Sequence, residues 1–272
     1  MRNSQPNGTG IAAQSTTAGA RSSLTLQSTV VEGLRGQAVA VIGSDGLLEG
    51  VVVSDTVPAA DGLGGWALSV REHPSTGERA NVVARSVLAR RSVDVGVLVA
   101  GADLALDSVV VRDTQPGPAG NFGHGVLVFT PPGSTQRGFV QVASSRLTSN
   151  HEVGIAVQDA DAVIEGTLIQ ATATRADGSF GDGVAVVSTY EPSGATVATS
   201  LVEGNGRAGV ASFAGQLSLG QSAIFCNTID LAGEQNQGQD YQFVDLGDNR
   251  CGCDELDTCR AVSSNLEPPS AP

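Results

Sequence analysis

Trp66, Phe122, His124 and Asp182 are the residues whose types and spacing point most directly to chemistry. The aromatic pair offers faces that stack on sugar rings. His124 and Asp182 supply a base and a carboxylate. His124 stands between two glycines, Gly123 and Gly125, and the position before the small residue runs Thr9, Trp66, His124, Asp182 at long intervals along the chain. A second group, Arg85, Arg90, Arg91, Arg112 and Arg146, has the charge to hold an acidic sugar or a phosphate, although a solvated face is the simpler expectation. His73 and His151 fall at turns with no Cys or His at ligand spacing.

These residues are set in a repeat. With Ser144 as reference, equivalent positions fall at Ser28, Gly50, Arg85, Ser108, Gly166, Thr199 and Gln221, at alternating steps of about 22 and about 35 residues, so the period is a short and a long winding together. Two residues before each reference stand Leu26, Leu48, Val83, Leu106, Val142, Ile164, Val197 and Leu219. Three after stand Val31, Val53, Leu88, Val111, Leu147, Ile169, Val202 and Ile224. A further strand opens on Gly10, Ala38, Ala67, Gly96, Gly125, Gly154, Gly183 and Gly209 and then alternates apolar residues. Val-rich alternation bounded by Gly, Asp, Asn and Ser predicts strands. A short winding leaves no room for a helical crossover. Stacked coils of short strands, with like residues about 4.8 Å apart, satisfy the pattern.

With that frame the sequence resembles the right-handed parallel β-helix family, the fold of pectin-degrading enzymes and of many secreted bacterial repeat proteins. The resemblance covers residues 10 to 230 and predicts an all-β, single-chain solenoid of about eight coils. It implies a fold and no activity. Gly123-His124-Gly125 matches the Gly-His-Gly of polygalacturonases within that family, and His124 is the one catalytic residue the match carries over. The family's Asn-Thr-Asp and Asp-Asp motifs should precede it and do not; Asn227-Thr228 follows it and runs on to Ile229. Its Arg-x-Lys motif is impossible in a chain without Lys. The outward position of the Gly-opened strand reads Ala12, Ala40, Ser69, Leu98, Leu127, Ala156, Ala185 and Ala211, with no carboxylate for acid–base work, and suggests a strip covered by loops or by a partner.

The long windings carry two sets of loops rich in Pro, Gly, Asp and Ser. One set is 54–65, 112–123 and 170–181; the other is 71–80, 130–138 and 188–194. Each set should project on one side, and any groove should lie between its members. Six residues after the reference stand Thr56, Thr114, Asn150, Thr172, Asn205 and Asn227, read as turn residues that bond the backbone of neighbouring coils. Residues 7–28 align with 121–144, so Met1 is expected to begin inside a coil of a longer protein.

The domain plan is a β-helix over 1–230, a Cys-bearing cap over 231–262 and a disordered tail over 263–272. Cys226 is expected to pair with Cys251 or Cys253, and Cys259 with the other, because a bridge between Cys251 and Cys253 would be strained. Such bridges imply an oxidising compartment and are favoured over a four-thiolate zinc site, whose paired spacing is absent. No metal site or cofactor is expected. Calcium on Asp245, Asp248, Asp254, Glu255 and Asp257 is the one candidate, but these residues lack the spacing of a calcium loop.

A net charge of -13 argues against nucleic acid as a partner. No apolar run reaches the length of a membrane span. The sequence therefore points to a non-catalytic extracellular or cell-surface domain for adhesion, surface structure or glycan binding, with a polysaccharide or another surface protein as partner. The alternative is a polysaccharide lyase or glycoside hydrolase whose groove lies between the long loops.

Overall fold

The computed structural model describes residues 8–253 and 258–269. The expected start inside a coil at Met1, and residues 270–272 of the expected tail, lie outside the described residues. Each winding lays one strand in each of three sheets, as in Val95–Ala100, Asp103–Asp107 and Val110–Arg112. Among the described residues every strand pairs in parallel with its counterparts in the neighbouring windings, which builds sheets of ten, nine and nine strands. The chain is an all-β, right-handed parallel β-helix, with the handedness that crossovers between parallel strands adopt. Among the described residues no helix is long and apolar enough to cross a membrane.

The inward columns form one continuous apolar core. In the third sheet it runs Val31, Val53, Ala89, Val111, Leu147, Ile169, Val202, Ile224 and Cys251. In the second it runs Leu26, Leu48, Ala84, Leu106, Val142, Ile164, Val197 and Leu219. One winding corrects the sequence frame by a residue. Its turn is at Ser86, with φ 52°, in place of Arg85, so Ala84 and Ala89 point inward while Val83 and Leu88 lie half-buried on the outside. A shift of one residue exchanges the faces of a strand. Here both faces are apolar, and the larger residues had marked the wrong one.

The small residue that opens each strand of the first sheet has a steric cause. Val95 pairs with His124 and Val97 with Val126, so the ladder skips Gly96 and Gly125. A Cβ on Gly96 would stand 2.6 Å from both the Gly125 carbonyl and the Val111 side chain. The glycine thus faces the core beside Val97, and the residue before it is turned outward.

Polar columns bond the corners of the coil. Asn150 accepts from Thr114 N, Asn205 from Thr172 N, and Asn227 from Asn205 N. Their amides donate to Val111, Ile169 and Val202 carbonyls. The expected backbone-bonding role is met by the three asparagines, whereas the buried Thr56 and Thr114 hydroxyls of the same column have no partner among the described residues. With the corrected frame Ser92 joins their column.

The winding continues one coil past Ile229, where the sequence repeat fades. Strands Ile229–Glu234, Gln242–Asp245 and Arg250–Gly252 extend all three sheets, and Ala261–Val262 adds a last strand to the first. The repeat was hidden because a polar loop separates the first two of these strands and a cysteine, Cys251, takes the core position of Ile224. Disulfides join Cys226 to Cys253 and Cys251 to Cys259, one of the two pairings expected. The stretch from 263, read from composition as disordered, is held as far as Leu266. Ser263, Ser264 and Asn265 donate to the Glu234 carboxylate, and Leu266 packs on the outer face of the first sheet. Of the calcium candidates, Asp254, Glu255 and Asp257 lie outside the described residues, and Asp245 instead accepts from Gly247 N and Asn249 Nδ2 within its own turn.

Candidate binding site

The outer face of the first sheet is where the sequence-selected residues meet. Its strip of Ala40, Ser69, Leu98, Leu127, Ala156, Ala185 and Ala211 stacks in register and is buried. Val95, Val153, Phe180 and Phe213 complete a second apolar cluster over it. The loops expected to project on one side supply the cover. Three of them repeat one turn: Gly62 N bonds Ala59 O, Gly120 N bonds Gly117 O, and Gly178 N bonds Arg175 O.

The strand entrance above this strip carries the ionisable groups. Trp66, His124 and Asp182 alternate there with Val95 and Val153. Each is set against the residue that enters the next winding. Trp66 Nε1 donates to Asp94 Oδ2 at 2.8 Å; His124 Nε2 lies 4.0 Å from Glu152 Oε1; Arg207 grips Asp182 through Nε and Nη2 at 2.8 and 2.6 Å. Sequence reasoning missed Asp94, Glu152, Arg175 and Arg207. The available signal was the step of 58 residues that carries Arg21 to Arg79, and likewise Asp94 to Glu152 and Gly117 to Arg175.

The second and third pairs are closed and internally neutralised. Arg175 holds the buried Glu152 carboxylate with two bonds, 2.7 and 2.6 Å, and Phe122 N donates to it at 2.6 Å. The Phe122 ring meets His124 edge-on at 5.4 Å between centroids. Burial drives the His124 pKa down to about 4, with Glu152 opposing, so its imidazole is neutral near pH 7. In the third pair burial pushes the Asp182 carboxyl up and the Arg207 guanidinium opposes it. Ser264 Oγ accepts from Arg207 Nη1, so the tail lies over this pair. His124, Glu152 and Asp182 are 1%, 0% and 0% exposed, which removes them from contact with any large substrate.

The first pair is open. Between loops 58–65 and 116–123 lies a cleft of about 330 Å³, with Trp66 and Phe122 among its walls, Leu98 and Leu127 among its floor residues, and Asp94 at its edge. Burial raises the Asp94 carboxyl above the usual carboxylate range, against the bond from Trp66. Trp66 and Phe122 therefore share a ligand-sized space, whereas His124 and Asp182 do not reach it.

The arginine group does not converge. Arg85 at the end of the second sheet faces Glu49 at 3.7 Å, Arg91 grips Asp55, and Arg112 pairs with Asp113. Arg90 and Arg112 stack in the third sheet, and Arg146 stands exposed between Val110 and Leu168. The regular basic feature lies elsewhere, in the ion pairs Arg21–Asp45, Arg79–Asp103 and Arg137–Asp161, the last two at the ends of the second-set loops 71–80 and 130–138 and the first 58 residues before Arg79. Among the described residues no three His, Cys, Asp or Glu side chains gather as a metal-holding group.

Neither a protein-family model nor a curated protein sequence matches the chain. Among solved structures it is similar to the mannuronan C-5 epimerase AlgE4 A-module of Azotobacter vinelandii, at 13% identity over 91% of this chain and 92% of that one, with a TM-score of 0.44. It also aligns with HetL, a pentapeptide repeat protein involved in heterocyst differentiation regulation from the cyanobacterium Nostoc, at 11% identity over 90% and 89% of the two chains and a TM-score of 0.22.

Proposed function

We propose that the chain is a non-catalytic binding domain of an extracellular or cell-surface protein, working in adhesion, with the loop-walled face of the first sheet as its binding face. The observation that carries this reading is the closure of the second and third pairs. Hydrolysis needs two carboxyl groups set across a bond, one of them able to give a proton. On this face Glu152 and Asp182 are sealed and clamped by arginines, and His124 is buried and neutral. The accessible feature is an aromatic-walled cleft, which suits recognition. The two disulfides fit an oxidising compartment.

The test uses Trp66, the one tryptophan of the chain, as reporter. Neutral and uronate oligosaccharides and surface-protein peptides are titrated against its fluorescence, alongside assays for unsaturated or reducing sugar ends. The reading expects a saturable change on binding, lost in Phe122→Ala, with no turnover. Turnover that disappears in His124→Ala or Asp182→Ala would replace it with an enzyme.

A further inference from the structure

The three pairs on the binding face are copies of one device, and one copy lacks a part. Glu152 and Asp94 occupy equivalent positions, each at the entrance to a short-winding strand, with left-handed φ of 62° and 84°, and each carbonyl accepts two backbone N–H groups of the following winding. Arg175 and Gly117 are equivalent in the covering loops, where each donates its backbone N–H across the same turn, to Ser179 and Asn121. In the second pair Arg175 brings a guanidinium onto Glu152. In the third pair the roles are exchanged: Arg207 stands at the winding entrance, where Asp94 and Glu152 stand in the other two, and brings its guanidinium onto Asp182. In the first pair Gly117 brings nothing, and a Cβ built on it would lie 3.0 Å from Asp94 Oδ1. The position taken by Phe122 in its loop is Gly64 in the loop before it, and the cleft opens at that place.

We propose that this cleft receives a guanidinium from outside, an arginine side chain of a partner protein, which completes the first pair as Arg175 completes the second. The ligand chemistry follows from the copies that are filled. Asp94 supplies the carboxylate for a two-point contact, one of its oxygens already oriented by Trp66 Nε1. Trp66 and Phe122 supply aromatic faces, and arginine heads already lie against such rings within this chain: Arg71 over Trp66 at 5.8 Å and Arg175 over Phe180 at 4.4 Å. Leu98 and Leu127 accept the aliphatic stem. Among the described residues no cation pairs with Asp94, and the chain's net charge of -13 draws a basic partner toward it. The inference rests on the face being a binding face and adds the identity of the contacting group.

The full chain is titrated with N-acetyl-arginine amide, with the citrulline analogue of the same shape and no charge, and with neutral hexose oligomers, all followed by Trp66 fluorescence. The arginine compound should bind at least tenfold more tightly than the citrulline compound. In Asp94→Asn, which keeps a side-chain oxygen for Trp66, that preference should vanish. Gly117→Arg should abolish binding by filling the site from within, with circular dichroism unchanged. Equal binding of the arginine and citrulline compounds, or a preference that survives Asp94→Asn, overturns the guanidinium assignment while leaving a binding face. Saturable binding of the hexose oligomers with no response to arginine overturns it in favour of a sugar site. Silence toward every probe removes both the guanidinium assignment and the binding face itself.

Discussion

Two stretches of the same repeat, Asp94 to Phe122 and Glu152 to Phe180, share a backbone path and differ in what closes them. In the second stretch a buried carboxylate is met by an arginine from the covering loop, and an aromatic ring of the preceding loop seals the neighbouring imidazole. In the first the carboxylate is half-buried, the loop residue is Gly117, and solvent reaches an aromatic-walled cleft. A solenoid can therefore carry structural and receptive versions of one site, because each copy contacts only its neighbours. Buried charge at such a site is stabilising only when its partner is present.

The comparison breaks most visibly at Arg175. Arg175→Ala removes the guanidinium that faces the buried Glu152 side chain, and should lower unfolding free energy by about 3–5 kcal/mol in urea titrations, with the same fold on refolding. Gly117→Ala, the matching change in the open copy, should cost less than about 1 kcal/mol. Similar losses from both would show that the two copies do not differ as described.

Acid sharpens the second copy. The folded-state pKa of His124 is depressed to about 4 from 6.5, so the unfolded chain binds a proton that the native one refuses between those values. Stability should fall as pH drops from about 6.5 toward about 4, by about 3 kcal/mol in total from this residue. His124→Gln should flatten that limb. In the open copy the raised Asp94 pKa acts in the same direction on an external cation: arginine binding should fade as pH falls through a value above the ordinary carboxylate range, because the protonated acid loses its attraction.

A smaller contrast lies within the polar corner column. Asn205 both accepts from Thr172 N and bonds Asn227, so Asn205→Ala should cost about 1–3 kcal/mol by leaving buried backbone groups unpaired. Thr56, Ser92 and Thr114 at the other end have buried hydroxyls without a partner among the described residues, and Thr56→Val should change stability by less than about 0.5 kcal/mol. A comparably small effect belongs to the surface ladder. Arg137→Ala should cost under about 1 kcal/mol, because both it and its partner Asp161 are partly solvated.

The architecture was legible because an apolar column repeats at every winding and short windings exclude helices. It slipped where polarity did not mark the faces, at Val83 and Leu88, and it faded after Ile229, where Cys251 replaces an aliphatic residue. The site was legible in part. Trp66 and Phe122 could be chosen because aromatics are scarce, at 4% of the chain, and they do share the cleft. His124 and Asp182 were chosen for their chemistry, but whether a carboxylate or imidazole meets solvent depends on the loop folded over it. Their partners Glu152, Arg175 and Arg207 are distant in sequence and ordinary in type, so only the repeat offset between copies exposes them. Arg85, Arg90, Arg91, Arg112 and Arg146 are near one another in sequence, and the windings divide them between two sheets and several acidic neighbours.

The most direct measurement is the unfolding free energy of Gly117→Arg in the wild-type chain and in the Asp94→Asn background. If the first copy lacks only its guanidinium, the substitution raises stability by about 1–2 kcal/mol when Asp94 is present, and leaves it unraised when Asp94→Asn puts a neutral amide opposite the loop. A loss of stability of equal size in both backgrounds would mean that the loop does not bring position 117 onto Asp94, and the comparison between the two copies would fail.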